Sequence, residues 1–383
     1  MSEKAYLLLT FVSVFGGLEL VKEIEIPKTM KAAVKTKAGD FEIKTVPVPK
    51  ITQPNYALVK VRGAGVCGSD LHNWKVPAPK ENLWAGEGAI AGHENAGDVV
   101  AVGEAVTNVK PGDRVAVDSV VSCGKCYWCR VGQYHLCPDA SNIRIKTLAR
   151  GFSEYMAGPA EKLYPIPDSV GYAEAAIMDV YGTSVHAMNR LGIRMDQTVV
   201  IYGAGPIGLS QLDLVNVHGA KGIIVDIIDY PLQVAKKTFG AYATINSTKE
   251  DPVKKVLKLT HGLGADIAID CVGGRATEKI LPQALDLVHV KGKLGMVGMF
   301  SNLGPGMNWG KLHMGEVDLI GVSGFYFWGN DPEFKIVTDL LSDGKLKATQ
   351  MITHRFPLEK INEAFETAAN KDKTKSIKVV IEG

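Results

Sequence analysis

Cysteine is scarce in this chain, which has six cysteines in 383 residues. A long chain with so few cysteines is not a small scaffold held together by disulfides. An excess of charge of one sign is also lacking, because 43 lysines and arginines nearly balance 41 acidic residues and leave a net charge of +2. This balance gives no reason to expect nucleic acid or a membrane surface as a partner.

The chain also lacks a convincing membrane span or secretion signal at its start. Residues 6–21 are mostly apolar, but this stretch contains Glu19 and is too short to cross a bilayer. Lys4 is the one positive side chain before it, and no small-residue cleavage site follows. We therefore expect residues 1–29 to be an N-terminal extension, with a secretory signal or a membrane anchor as the alternative. The expected location is cytoplasmic, because free thiolates require a reducing compartment.

The overall composition is that of an ordinary globular protein. Hydrophobic residues make up 46% of the chain and charged residues 22%, both usual values for soluble proteins. The length favours two or three domains, each large enough to bury its own core.

Four of the six cysteines fall within fifteen residues, at Cys123, Cys126, Cys129 and Cys137. Thiolates at these spacings can meet at a tetrahedral point about 2.3 Å from one metal ion, and such a soft donor set favours zinc. The alternative is that these cysteines form two disulfides or remain thiols without a ligand. A redox-active pair of cysteines would leave the other two thiols unexplained. The pattern predicts a closed, structural zinc site in a lobe at about residues 121–139.

The hydrophobic pattern changes along the chain. Between Met30 and about Pro167, short stretches such as 56–62 and 97–103 alternate apolar and polar residues between turn residues. This pattern predicts antiparallel strands of a barrel-like domain. After about Asp179, apolar strands alternate with helical stretches, which predicts a parallel sheet with helices on both faces.

A glycine-rich turn follows the first of these apolar strands. Residues 198–202 precede Gly203-Ala-Gly-Pro-Ile-Gly208, which opens a helical stretch. In this context the first glycine allows a tight turn, the second lets the backbone approach a pyrophosphate, and the third permits close packing of helix on strand. The free N–H groups of the helix would hold the phosphates.

An acidic residue at the end of the next strand would bind the ribose of the dinucleotide. Asp226, directly after residues 223–225, is the best candidate, and Asp229 is the second choice. A carboxylate there repels a 2′-phosphate, so the sequence predicts NAD rather than NADP. The predicted cofactor-binding residues are Gly203, Gly205, Pro206, Ile207, Gly208 and Asp226.

Two further motifs lie in the first part of the chain, Cys67-Gly-Ser-Asp-Leu-His72 and Gly92-His-Glu94. On spacing alone, a single cysteine and a single histidine are more often core or surface residues than metal ligands. The larger set of motifs changes this interpretation. The chain resembles the zinc-containing medium-chain alcohol and polyol dehydrogenase family in five features taken together. They are these two motifs, the four-cysteine lobe, the Lys-Pro-Gly-Asp-Arg-Val turn that begins at Lys110, and the glycine-rich turn. The resemblance covers the chain from Met30 to its end.

The resemblance implies an α/β architecture with two domains. It places a Rossmann domain, a doubly wound parallel sheet that binds NAD, at residues 181–323. This domain would interrupt a GroES-like β-barrel catalytic domain at residues 30–180 and 324–383, which would carry the structural-zinc lobe. The active site would lie in the cleft between the two domains.

The resemblance also implies a catalytic zinc, distinct from the zinc of the lobe. Cys67 and His93 match its ligands, and Glu94 matches the acid beside the metal. The remaining ligand in the family is a Cys, Glu or Asp, and Asp179 stands at that position. Because aspartate is shorter than glutamate, Glu94 or a second water is the alternative fourth ligand.

The same resemblance assigns roles to three residues of the first motif. Ser69 and His72 match the hydroxyl and imidazole that carry the proton away from the substrate, with an ordinary surface histidine as the alternative for His72. Asp70 matches the carboxylate that orients the metal-bound imidazole.

The implied function is zinc-dependent, reversible hydride transfer between NAD and an alcohol, with a secondary alcohol or polyol as the expected small-molecule substrate. A formaldehyde-, threonine- or sugar (aldose)-type dehydrogenase is the alternative, and a zinc- and NAD-binding protein without turnover is a further one. We expect two zinc ions per chain, no nucleic-acid or membrane partner, and a homodimer or homotetramer, since both occur among such enzymes.

Overall fold

A computed structural model of the chain describes residues 25–75, 88–144, 146–299, 306–328 and 331–383. Most of the predicted N-terminal extension, residues 1–24, lies outside the described residues. Within the described ranges, no helix is both long and apolar enough to cross a membrane.

The first half of the chain is rich in strands that pair in antiparallel fashion. β3 lies near the centre of a sheet of seven described strands, where it pairs with β4 on one side and with β6 and the C-terminal β17 (Lys378–Glu382) on the other. β1 and β2 form a separate hairpin. The strands of this half are β1 (Thr29–Lys37), β2 (Asp40–Pro47), β3 (Tyr56–Gly65), β4 (Glu94–Val102), β5 (Arg114–Val117), β6 (Tyr155–Pro159) and β7 (Leu163–Pro165). The predicted antiparallel strands are confirmed.

The second sheet has six strands, all paired in parallel, in the order β10-β9-β8-β11-β12-β13. Its strands are β8 (Thr198–Tyr202), β9 (Lys221–Asp226), β10 (Ala243–Asn246), β11 (Ala265–Asp270), β12 (Val288–Met296) and β13 (Asp318–Gly321). The chain runs outward from β8 to β10 and then returns to the other side of β8. Such a reversal opens a crevice at the carboxyl ends of the strands, where ligands bind in doubly wound sheets.

Both faces of the parallel sheet are buried. Val199 and Ile201 of β8 pack in one hydrophobic cluster, whereas Val200 and Tyr202 pack in another. Alternate residues of a strand point to opposite faces, so apolar side chains cover both sides of β8. This explains the unbroken apolar run at residues 199–202, and the predicted parallel sheet is confirmed.

The helices connect these strands and flank the sheets. They are α1 (Gly68–Lys75), α2 (Tyr127–Arg130), α3 (Ala140–Arg144), α4 (Tyr172–Ala176), α5 (Met178–Leu191), α6 (Pro206–Val217), α7 (Asp229–Lys237), α8 (Pro252–Leu259), α9 (Thr277–Leu287), α10 (Trp309–Met314), α11 (Glu333–Ser342), α12 (Ala348–Met351), α13 (Ile361–Ala369) and α14 (Lys371–Thr374). The last strands are β14 (Phe327–Trp328), β15 (Asp331–Pro332), β16 (Ile352–Pro357) and β17 (Lys378–Glu382).

The C-terminal segment returns to the first sheet. β17 pairs with β3, so that Val380 lies opposite Gly65. Helix α5 runs through the predicted domain boundary at 180/181, and the division at residues 180/181 and 323/324 stays a prediction. The return of β17 places the last residues of the chain beside the ends of β3 and β4, where the candidate site lies.

Candidate active site

A cysteine, a histidine and a glutamate converge at one end of the antiparallel sheet. Cys67 follows β3, and His93 and Glu94 stand at the start of β4. The two strands are antiparallel with Gly65 opposite Glu94, so the end of one strand meets the start of the other. One ligand atom from each of the three side chains lies within 4.8 Å of the other two. His93 and Glu94 are buried, and Cys67 is half-buried.

Asp70 holds two of these groups in place. Its Oδ2 accepts a hydrogen bond from the backbone N–H of Cys67 at 3.0 Å. Its Oδ1 lies 3.5 Å from Nδ1 of His93. With Nδ1 turned toward Asp70, Nε2 is the imidazole nitrogen that would bind a metal ion. An outer carboxylate of this kind is the usual partner of a metal-bound histidine.

Glu94 forms a buried ion pair with Lys378. The Lys378 ammonium donates to Oε1 of Glu94 at 2.6 Å and to the carbonyl oxygen of Val66 at 3.0 Å. The exposed fractions of the two side chains are 1% and 0%. Gly65 makes room for the carboxylate, because a Cβ there would lie 1.9 Å from Oε2 of Glu94. Lys378 was not predicted as a site residue.

The donors present fit a zinc ion. Thiolate, imidazole and carboxylate are the groups that bind zinc in proteins, and the pocket also gathers negative charge. Burial acts to lower the pKa of His93, but the neighbouring Asp70 and Cys67 outweigh it and raise that pKa well above its usual value. A divalent cation would balance the same surplus of negative charge.

Asp179 stands in the first turn of α5, apart from this group of three. Among the residues that the structure describes, it is not in the set whose ligand atoms lie within 4.8 Å of one another. Its Oδ2 accepts a hydrogen bond from the hydroxyl of Ser119 at 3.3 Å. Burial raises the pKa of Asp179 to about 6, and His93 opposes that rise. Its role as a zinc ligand stays a prediction.

Ser69 and His72 lie three residues apart on α1, and residues at this spacing share one face of a helix. Ser69 is half-buried, whereas His72 is exposed. A partly buried hydroxyl two residues after Cys67 and an exposed imidazole one helical turn further on could carry a proton from the site to water. Their assignment to such a path remains a prediction.

The four cysteines of the lobe also converge. Sγ of Cys129 lies 3.4 Å from Sγ of Cys126 and 4.0 Å from Sγ of Cys123. A tetrahedral zinc with Zn–S bonds of about 2.3 Å places its sulfurs about 3.8 Å apart, whereas a disulfide needs about 2.05 Å. All six cysteines are free. Backbone N–H groups of residues 125 and 126 lower the pKa of Cys123 to about 7, which favours the thiolate that a metal requires.

Substituting one lobe cysteine should release zinc and weaken the lobe. We expect Cys126→Ser to lose one zinc per chain and to lower the free energy of unfolding by about 2 kcal/mol, because metal ligation is coupled to folding. The loss is limited because the lobe buries little apolar surface, with Tyr127 69% and Trp128 40% exposed. Metal analysis and denaturant unfolding measure both effects. Cys271→Ser, at the one cysteine outside both clusters, is the matched control, and full zinc content in Cys126→Ser would contradict the lobe assignment.

The lobe contacts the segment through which the chain leaves the parallel sheet. The ring of His135 stacks on Tyr326 at a centroid distance of 4.1 Å, and Tyr134 packs edge-on against Phe327 at 6.0 Å. Beneath them, Nδ1 of His186 lies 3.0 Å from a carboxylate oxygen of Glu333. Burial lowers the pKa of His135 to about 4, so this ring is neutral at neutral pH.

The glycine-rich turn has the geometry of a phosphate-binding turn. Gly203 has φ +95°, and a Cβ on Gly208 would lie 1.7 Å from the carbonyl oxygen of Gly203. At Gly205, by contrast, a Cβ would meet nothing within 4 Å. Gly205 therefore faces open space, at the start of α6 with Pro206 in its first turn. This is the place where a pyrophosphate could approach the backbone.

Asp226 ends β9 beside this turn. Its Oδ2 accepts from the backbone N–H of Ala204 at 2.6 Å, and its Oδ1 accepts from the N–H groups of Ile227 and Ile228 at 2.7 and 2.9 Å. The carboxylate is thereby fixed at the rim of the glycine-rich turn. Asp229, the second choice, is exposed and pairs with Lys249 at 2.6 Å.

Comparison with known proteins agrees with this geometry. Residues 53–168 match the alcohol dehydrogenase GroES-like domain, and residues 206–343 match the zinc-binding dehydrogenase domain. The sorbitol dehydrogenase of Bacillus subtilis (strain 168) is 33% identical over 357 residues, which cover 93% of this chain and 98% of that protein. The L-threonine 3-dehydrogenase of Pyrococcus horikoshii is 34% identical over 348 residues, 88% of this chain and 94% of that protein.

A similar solved structure is that of an Escherichia coli CFT073 alcohol dehydrogenase complexed with NADH. It has a TM-score of 0.80 and 28% sequence identity, and the match covers 93% of this chain and all of that one. Two domain matches and relatives above 30% identity over nearly their full length establish the family. The chain belongs to the zinc-containing medium-chain alcohol and polyol dehydrogenases, and it is an oxidoreductase that uses zinc and a nicotinamide cofactor.

Proposed function

We propose that this protein catalyses the reversible, NAD-linked oxidation of a secondary alcohol or polyol to the carbonyl compound. The observation that carries this proposal is the convergence of Cys67, His93 and Glu94 within 4.8 Å. Thiolate, imidazole and carboxylate together suit a catalytic zinc, because three protein ligands leave one position open for substrate.

Cys67 and His93 would hold the zinc with Asp179 as the third protein ligand. Glu94 would lie beside the metal and could join or leave its ligands, so that one position stays open for substrate. When bound, zinc polarises the substrate hydroxyl and lowers its pKa toward neutrality. Asp70 keeps the imidazole of His93 in the orientation that the metal needs, through its 3.5 Å contact to Nδ1. Lys378 balances the charge of Glu94 while that carboxylate is away from the metal.

A proton must leave the site when the alcohol is oxidised. We assign this step to Ser69 and His72, the half-buried hydroxyl and the exposed imidazole on one face of α1. The hydroxyl can accept the substrate proton and pass its own onward, and the exposed imidazole can exchange protons with water.

The cofactor would bind along the glycine-rich turn, with its pyrophosphate at Gly205 and the start of α6. Asp226 lies at the rim of this turn and would accept hydrogen bonds from the ribose hydroxyls. Its negative charge would repel a 2′-phosphate, which supports NAD rather than NADP as the cofactor.

The cofactor preference can be tested at Asp226. We expect the native enzyme to favour NAD, and Asp226→Asn to reduce the ratio of kcat/KM values for NAD and NADP by about tenfold, since removing one like charge near a phosphate is worth about 1.4 kcal/mol. Asparagine keeps an acceptor for the N–H group of Ala204. Asp229→Asn is the matched control and should leave the ratio unchanged. A native preference for NADP would refute the assignment.

The relatives support a hydroxyl-bearing small molecule as substrate, since one is a sorbitol dehydrogenase and another an L-threonine dehydrogenase. The test is a panel of simple secondary alcohols, polyols, sugars, L-threonine and formaldehyde adducts, followed by NADH absorbance. We expect the highest kcat/KM with a polyol. A higher value for L-threonine would replace the polyol assignment, and the absence of NADH production from every compound, despite bound zinc and NAD, would contradict the proposed activity.

We further propose two zinc ions per chain, one at each cluster, and a homodimer or homotetramer in solution. The four thiolates of the lobe support a reducing, cytoplasmic location, because an oxidising compartment would drive them to disulfides. Sedimentation analysis of the zinc-loaded protein measures the assembly state.

A further inference from the structure

Ser119 occupies a fixed position between β5 and the four-cysteine lobe. Its neighbour Asp118 is fully buried and pairs with the ammonium of Lys162 at 3.0 Å. The backbone N–H of Asp118 donates to the carbonyl oxygen of Lys162 at 2.9 Å. The backbone N–H of Val121 donates to the carbonyl oxygen of Ser119 at 3.0 Å. Backbone bonds on both sides therefore fix the segment, and Ser119 has little freedom to move.

The Ser119 side chain is removed from water, with an exposed fraction of 0%. A buried hydroxyl needs a partner, because leaving one unpaired costs about 1–3 kcal/mol. Its hydroxyl donates to Oδ2 of Asp179 at 3.3 Å. A buried serine and a buried carboxylate thus meet across 60 residues of sequence.

The contact with Ser119 affects which oxygen of Asp179 can face a metal ion. An aspartate side chain has two oxygens, and a hydrogen bond to one of them leaves the other available for a metal ion or its bound water. The carboxylate is short and lies outside the set formed by Cys67, His93 and Glu94. A donor that fixes its orientation therefore matters more here than it would for a longer side chain.

We propose that Ser119 is a positioning residue for the catalytic zinc: its hydroxyl binds one oxygen of Asp179 and directs the other toward the metal pocket. This inference rests on the proposed function, in which Asp179 completes the set of zinc ligands. Ser119 itself touches neither metal nor substrate in this role.

The test is the rate at which the zinc-loaded enzyme releases its catalytic zinc to a chelator that changes colour on binding the metal. The release phase that disappears in Cys67→Ala identifies this zinc. We expect Ser119→Ala to release it about tenfold faster than the native enzyme, since loss of an outer partner typically weakens a metal site by 10- to 100-fold. Ser153→Ala removes another buried hydroxyl, at 3% exposure, and should leave the release rate unchanged.

A double variant separates positioning from a general effect on the fold. If Ser119 acts through Asp179, adding Ser119→Ala to Asp179→Ala changes the release rate by less than about twofold, because coupled groups are not additive. Native-like release in Ser119→Ala, equal acceleration in Ser153→Ala, or a further tenfold increase in the double variant would each overturn the inference.

Zinc release is measured without substrate, so it separates failure of this inference from failure of the proposed function. A native enzyme that holds the second zinc and turns over alcohols, but whose Ser119→Ala variant keeps its zinc equally well, would reject only the role of Ser119. A native protein without a second zinc would reject both.

Discussion

Cys67→Ala and His93→Ala should each lower kcat/KM by at least about a thousandfold, because the metal supplies several kcal/mol of charge stabilisation in the reaction. Each variant removes one of the three donors that lie within 4.8 Å of one another. We expect both proteins to remain folded, since β3 and β4 are held by their own ladder and by neighbouring strands. The measurement is NADH production together with circular dichroism.

The matched control for Cys67→Ala is Cys271→Ala, which makes the same change at a cysteine outside both clusters. This control should keep two zinc ions per chain. Undiminished turnover in either Cys67→Ala or His93→Ala would refute the catalytic zinc. Loss of the folded state in both variants would show that the site supports the fold rather than only the chemistry.

Lys378→Met should lower the free energy of unfolding by about 3–5 kcal/mol, because removing one partner of a buried ion pair leaves the other charge uncompensated. The Lys378 side chain is 1% exposed and that of Glu94 is 0% exposed. Burial alone would lower the pKa of Lys378. The negative charges of Glu94 and Cys67 outweigh burial and raise this pKa above its usual value, so the ammonium is charged in the folded protein. Denaturant unfolding of the zinc-loaded enzyme measures the change.

An exposed lysine provides the control for this prediction. Lys360 pairs with Glu363 at 3.2 Å, and their side chains are 57% and 55% exposed. Lys360→Met should change the free energy of unfolding by less than about 1 kcal/mol, because water screens such pairs. If Lys378→Met is no more destabilising than Lys360→Met, the buried pair does not contribute as the structure indicates.

Much of the fold was predictable because its signals are local. The apolar run at 198–202, followed by a glycine-rich turn, requires only neighbouring residues to specify a buried strand that enters a helix. The same holds for the four cysteines, whose spacing alone predicts their convergence. Boundaries are harder to place from the sequence, because the apolar stretch at residues 294–297 marks only the end of β12, Val288–Met296. Its first residues alternate less clearly between buried and exposed positions.

The groups that surround the catalytic metal could not be predicted in the same way. Lys378 reaches Glu94 across 284 residues, because β17 returns to pair with β3. Ser119 reaches Asp179 across 60 residues, because the fold brings α5 into contact with β4 of the first sheet. From the sequence alone, this lysine and this serine cannot be distinguished from ordinary surface or strand residues. Only the tertiary fold shows that they are buried beside charged partners.

Zinc content per chain, measured by elemental analysis of the purified native protein and of Cys67→Ala, tests the central claim most directly. Two separate clusters of ligand atoms, one of four thiolates and one of mixed donors, predict two zinc ions in the native protein and one in Cys67→Ala. A native content of one zinc, or two zinc ions retained in Cys67→Ala, would contradict the presence of a catalytic zinc beside the structural one.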